Sequence, residues 1–137
     1  MKIEFEGLDR VIVRIESIAE EQKLERALGR ACAVVERTAK QKAPKGNGTL
    51  RNSITSRVEN NEGIVFTNLE YAPYVEFGTG LFAEDGNGRK EVPWHYQDDK
   101  GEWHTTSGMH PHPFMRPALL ENRQKIVEIL KEDLLND

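Results

Sequence analysis

With 137 residues and a formal net charge of -4, the chain is long enough for one modest domain and too acidic overall for a general nucleic-acid binder. Apolar residues make up 37% and the mean hydropathy is -0.65, which suggests a thin core and a large polar surface, as in a subunit that completes its burial within an assembly. The lone Cys32 excludes an intrachain disulfide and a C-x-x-C site, and no apolar run approaches the roughly 18 residues of a membrane span.

The start, MKIEFEGLDR, is charged and lacks an apolar signal region, so the chain is expected to stay in the cytosol where it is made. Residues 8–19 place Leu8, Val11, Ile12, Ile15, Ile18 and Ala19 at helical spacing, with a strand as the competing reading because Val11-Ile12-Val13 is β-branched. The next segment is clearer. Leu24, Ala27, Leu28, Ala31, Val35, Thr38, Ala39 and Lys42 share one side of a helix predicted over 21–42, stopped by Pro44 and Gly46.

Residues 50–69, LRNSITSRVENNEGIVFTNL, predict two strands joined by a turn. Leu50, Ile54 and Val58 share a face, and Asn60, Asn61 and Gly63 supply the turn chemistry. YAPYVEFGTG follows at 71–80, with Tyr71, Tyr74 and Phe77 at three-residue spacing and Gly78 and Gly80 closing the run. LFAEDGNGRKEVP, at 81–93, has the composition of an exposed loop. WHYQDDKGEWHT repeats an aromatic-His pair around a turn, which predicts a second hairpin with Trp94 and Trp103 paired across it. In HPHPFMRPAL, prolines 111 and 113 impose an extended approach, and Pro117 lies near the first turn of a closing helix. That helix continues through Leu120, Ile126, Val127, Leu130 and Leu134.

The predicted class is α+β in a single domain, 1–137. A small antiparallel sheet of about four strands packs with a long helix in the N-terminal half and a C-terminal helix, and a long loop or hairpin arm spans 81–112.

Few residue patterns suggest chemistry. His95, His104, His110 and His112 invite a zinc site, with His95 and His104 able to meet across the hairpin. No cysteine is near them and no pair has i, i+4 spacing, so imidazoles in a loop are the simpler reading. Ser53, Ser107 and Cys32 lie in no nucleophile motif, and Gly86-Asn87-Gly88-Arg89-Lys90 lacks the ending of a phosphate loop. Glu70 and Glu76 flank the aromatic run without suggesting a pocket. No catalytic residue, metal or cofactor is expected, and the chain does not read as an enzyme.

Charge is distributed unevenly. Residues 20–57 carry nine Lys/Arg and four Asp/Glu, a balance of +5 that leaves -9 for the rest. Lys23, Arg26, Arg30, Arg37 and Lys40 form a basic stripe on the helix side opposite the apolar one, with Glu25 and Glu36 lying off it. Such a stripe is a solvated face, a contact for an acidic neighbour, or a contact for DNA phosphates. The last makes a nucleic-acid-binding module the alternative function.

Several pieces in order carry a resemblance: Ala43-Pro44; Gly48-x-Leu50-Arg51-x-Ser53-Ile54; Tyr74-x-Glu76-Phe77-Gly78-Thr79; and Pro113-Phe114-x-Arg116-Pro117-Ala118. Together they resemble the small tail-component family of HK-type lambdoid phages and prophages, whose members are called neck, head-tail joining or tail-completion proteins. The likeness spans roughly 5–135.

The resemblance implies a structural virion protein. It would be a ring subunit at the head-tail junction, following the sixfold symmetry of the tail. Its expected partners are copies of itself, head-connector proteins and tail-tube proteins. DNA would pass through without sequence-specific binding, and no membrane is involved. The protein would occupy the host cytoplasm during assembly and then the virion. Tyr71, Tyr74, Glu76, Phe77, Gly78, Thr79, Trp94, Trp103, Pro113, Phe114, Arg116 and Pro117 would be fold and interface determinants. Tyr74 and Phe77 would anchor a turn onto the sheet, Glu76 would pair with a backbone amide or a cation, Arg116 for choice, and Gly78 and Gly80 would launch the arm. The arm itself would be loose in the free subunit and ordered against a neighbour in the ring.

Overall fold

The computed structural model describes residues 1–46, 48–86, 88–98 and 100–135. Asn87 of the Gly86–Lys90 loop and Asp99 of the second expected turn fall outside that set. The chain divides into two compact units. One comprises Met1–Leu69 with the segment from Phe114 onward, and the other comprises Glu70–Pro113.

The first unit is a four-stranded antiparallel sheet covered by two long helices. Its strands are β1 (Lys2–Gly7), β2 (Val11–Glu16), β3 (Thr55–Glu59) and β4 (Glu62–Phe66), in spatial order β1-β2-β4-β3. The helices are α1 (Glu21–Lys42), a short α2 (Thr49–Ser53) and, after α3 (Ala72–Phe77) of the second unit, α4 (Met115–Leu135). Strand pairing places Ile3, Phe5 and Gly7 beside Val11, Val13 and Ile15 on one face, continued by Gly63 and Val65. This is the helix-covered face. A methyl group at Gly7 would meet Leu119 of α4 at 2.7 Å, and one at Gly63 would meet Cys32 of α1 at 2.4 Å.

The expected helix 21–42 is α1 to the residue, and it buries Leu24, Ala27, Leu28, Ala31, Cys32, Val35 and Ala39. Each large member contributes roughly 1.5–3 kcal/mol on burial. The helix ends where Ala43 turns extended ahead of Pro44. α4 packs along it. Asn122 Nδ2 donates to Thr38 Oγ1 at 2.9 Å, Lys42 pairs with Glu121 at 2.8 Å, and Arg30 pairs with Asp133. The core side of α4 is Met115, Ala118, Leu119, Ile126, Ile129, Leu130 and Leu134; Leu120, expected there, is exposed.

Other expectations change in detail. Residues 8–19 are neither one helix nor one strand. Their centre is β2, which pairs with β1 through a tight turn in which the Leu8 amide donates to the Arg10 carbonyl at 3.1 Å. β1 and β2 are therefore two of the four strands, and the tryptophan hairpin forms a separate two-stranded sheet. Leu50 lies in α2 and not in a strand. Asn60 and Asn61, at φ of 49° and 63°, make the two-residue β3–β4 turn alone. Gly63, expected in that turn, lies within β4, where α1 comes too close for a side chain.

The other face of this sheet carries the buried Ile12 and Ile64 beside a group of charge pairs. Arg14 reaches Glu62 at 2.5 Å, Glu4 at 3.4 Å and Glu6 at 3.7 Å, and the Arg57 guanidinium lies 5.2 Å from the Phe66 ring centre. Such surface pairs contribute about 0–1 kcal/mol each. No helix among the described residues is long and apolar enough to cross a membrane.

Candidate functional site

The second unit holds most of the residues expected to matter. It contains α3 (Ala72–Phe77), a single 3-10 turn (Gly80–Phe82), and a hairpin of β5 (Trp94–Gln97) and β6 (Trp103–Thr106). Pro73 sits in the first turn of α3, where its missing amide costs no hydrogen bond. Three-residue spacing keeps Tyr71, Tyr74 and Phe77 along one side of so short a helix, while Ala72, Val75 and Glu76 take the other. The buried side is the second one, with Glu76 only 1% exposed. Tyr74 is therefore not a buried anchor: it is 58% exposed, and Tyr71 is 44% exposed. The aromatic side faces outward because the small and branched residues of the helix fill the interior. Glu76 and its expected partner Arg116 belong to different units.

The glycines after α3 do more than begin a loop. Gly78 and Gly80 adopt φ of 82° and 59°, a region that side chains resist. Between them, Thr79 exchanges backbone hydrogen bonds with Met109 at 2.9 and 3.2 Å, and the Leu81 amide donates to the Ser107 carbonyl at 3.0 Å. A Cβ at Gly80 would lie 2.3 Å from the Ser107 oxygen. One at Gly108 would lie 2.1 Å from the Thr79 oxygen, and one at Gly88 would lie 2.1 Å from the Gly80 oxygen. Three backbone segments thus meet where only hydrogen fits. The junction is extended by the Glu84 amide donating to the Phe77 carbonyl at 2.8 Å and the His112 amide to the Val75 carbonyl at 2.7 Å. The two ends of the 81–112 arm are clasped against the end of α3. Sequence reading gave Gly78 and Gly80 these backbone angles but passed over Gly88 and Gly108, because nothing local marks a contact between segments so far apart in the chain.

Above this junction lies a concavity of about 600 Å³ lined by Pro73, Tyr74, Phe77, Ala83, Arg89 and Trp94 among others, with Asp85 also at its wall. The Arg89 guanidinium lies 5.1 Å from the Trp94 ring centre, a cation–π contact that holds one wall. Arg89 and Asp85 were missed as site residues, since in sequence they read only as loop polarity.

The hairpin register separates the two tryptophans. Trp94 pairs with Thr106 and Trp103 with Gln97, because five residues, Asp98 to Glu102, form the connection. Period-two alternation then puts Trp94 and Trp103 on opposite faces, in place of the expected cross-strand pair. Trp94 is half-buried, whereas Trp103 is 70% exposed.

The same register parts His95 from His104. His95 Nδ1 bonds Thr105 Oγ1 at 2.8 Å, while His104 donates through Nε2 to Asp98 Oδ2 at 2.7 Å and stacks on Tyr96. His110 packs against Phe82 with ring centres 3.8 Å apart. Among the described residues, Asp98, Glu102 and His104 are the group whose possible ligand atoms lie within 4.8 Å of one another. The Asp98 carboxylate already organises the hairpin tip, accepting the Lys100 and Glu102 amides at 2.9 Å each. Those bonds, led by the one from His104, hold its pKa below the usual carboxylate value. Two of its three members, Asp98 and His104, are thus engaged in the turn.

The remaining candidates, apart from Pro113, lie in the first unit. Phe114 is a core residue at 1% exposure; Arg116 and Pro117 are half-buried in the first turn of α4, and Pro113 is the last residue of the second unit. The basic stripe is partly discharged within the chain, by Arg30 to Asp133 and by Lys40 to Glu36 at 3.4 Å. Arg26 and Arg37 remain exposed with no ion pair among the described residues. Cys32 is buried, and burial pushes its thiol up to about 11, with Glu36 adding to the shift. It is an inert core residue.

Residues 8–78 match the family described as "Bacteriophage HK97-gp10, putative tail-component". The match runs from the β1–β2 turn through α3 to Gly78 at the arm's base, and the resemblance noted from the motifs holds over that range. No curated protein and no solved structure matches the chain.

Proposed function

This chain belongs to the Bacteriophage HK97-gp10 tail-component family, and from that premise we propose that it is a structural subunit of the virion, acting as a ring at the head-tail junction in a neck or tail-completion role. The observation that carries the reading is the character of the second unit. A glycine-locked base presents exposed Tyr71, Tyr74, Leu81, Tyr96, Trp103 and Met109 on a segment of 44 residues, Glu70–Pro113. So much exposed apolar surface on so small a unit fits a protein that buries it against neighbours.

The ring would hold six copies to match the tail. Arg26 and Arg37 would meet acidic surface on the adjoining copy, in a heterologous contact that closes. Connector and tail-tube proteins would lie above and below, and DNA would pass through a conduit whose net acidity keeps it from gripping the cargo. No step of this role makes or breaks a covalent bond. A nucleic-acid-binding module would need the α1 stripe free, and Arg30 and Lys40 are already engaged within the chain.

Electron microscopy of particles assembled without this protein tests the role. Full heads and free tails that fail to join are expected. Normal virions would refute it.

A further inference from the structure

The hairpin of the second unit presents a knob on one face and a hole behind the other. Trp103 projects from the face shared with His95, Gln97 and Thr105, and is 70% exposed. Trp94 faces the other way and lines the concavity of about 600 Å³, whose apolar wall also includes Pro73, Tyr74 and Phe77. That volume falls within the range of pockets that enclose a drug-sized group, and is ample for one indole. Charges around the two features are complementary. The hole carries Arg89 and Asp85, while exposed Glu102 and Lys100 lie within three residues of Trp103.

We propose that Trp103 of one copy seats in the Tyr74–Phe77–Trp94 concavity of the next, with Glu102 directed at Arg89 and Lys100 at Asp85. This deepens the ring reading and rests on it, by naming the contact that joins neighbours. The occupant is a second copy because this chain supplies both halves, and the opposite-facing tryptophans prevent one hairpin from presenting both to the same side. Knob and hole on different surfaces make a heterologous, head-to-tail contact. Repeated around an axis, it closes a ring; left unclosed, it extends a filament. A tryptophan entering an apolar hole rimmed by opposite charges has the composition of an interface hot spot.

The test uses the full chain, with folding of each variant checked by circular dichroism. Sedimentation velocity of the wild type over rising concentration should show self-association. Trp103→Ala removes the knob and should weaken it by roughly 30-fold or more, the loss expected of an anchoring tryptophan. Tyr74→Glu, at an exposed position, places a charge in the hole and should weaken it comparably. The decisive step mixes the two variants. Trp103→Ala keeps a hole and Tyr74→Glu keeps a knob, so the mixture should form a one-to-one dimer that grows no further.

Trp103→Ala that associates as the wild type does, or a mixture that stays monomeric, would overturn the contact. So would a wild type that remains monomeric up to about 1 mM. The ring reading fails separately: rings in particles built with Trp103→Ala would overturn this contact alone, whereas particles without any ring of the wild-type chain would overturn the larger role.

Discussion

Replacing Gly63 with alanine should destabilise the first unit through one contact, and removing the contacted atom should restore stability. The new Cβ would stand 2.4 Å from Cys32 Sγ, with the next neighbours, the Leu28 carbonyl and Cβ, at an ordinary 3.6 and 3.7 Å. The sulfur, buried between α1 and the sheet, would have to retreat by about 1 Å to reach van der Waals separation. Forcing atoms into a packed core costs about 1–3 kcal/mol. Against this, alanine is favoured over glycine within a strand by about 0.5–1 kcal/mol. A net loss of about 1 kcal/mol, and at most about 2.5, follows for Gly63→Ala. In a Cys32→Ala background the clash is gone, and Gly63→Ala should be neutral or stabilising. Urea unfolding of the four proteins, followed by far-ultraviolet circular dichroism, gives the coupling directly. An equal cost in both backgrounds, within about 0.3 kcal/mol, would refute the claim that α1 is set on β4 by the missing side chain.

Cys32 should be silent toward a disulfide reagent in the native protein near pH 8 and react fully on unfolding; rapid native labelling would contradict its burial and raised pKa. Asp98 has a depressed pKa, so its support of the hairpin is present above its unfolded value and is lost as the pH falls through the lower folded one. Nuclear magnetic resonance of the Lys100 and Glu102 amides should therefore show an inflection below 3.8, and an inflection at or above that value would count against the turn bonds. Brief trypsin treatment of the free protein should cut first in the arm, at exposed Arg89 or Lys90, before α1; equal resistance of arm and body would argue against an arm that waits for a neighbour.

The elements most legible in sequence were those whose pattern answers to one face. α1 was readable because Leu24, Leu28, Ala31 and Val35 fall along a single stripe beneath one neighbouring layer. β2 was ambiguous for a physical reason: Ile12 is buried as well as Val11 and Val13, so alternation is replaced by a continuous apolar run. β1 did carry alternation, with Ile3 and Phe5 between Lys2, Glu4 and Glu6, but its charge obscured the strand. Within YAPYVEFGTG, Gly78 and Gly80 take the backbone angles expected of them, while Tyr74, expected to anchor the turn, is exposed. The tyrosines face outward and the glutamate is buried, which only the packing of so short a helix decides. The tryptophan register depends on a five-residue connection, and the Gly80–Gly88–Gly108 junction depends on tertiary approach. Neither leaves a local signal in the chain.

Cryo-electron microscopy of complete virions, averaged about the tail axis at the head-tail junction, is the most direct measurement of the central claim. It should reveal a closed ring of six copies into which both compact units of this chain can be built. Junction density fully accounted for by other proteins, with this chain missing from the particle, would contradict it.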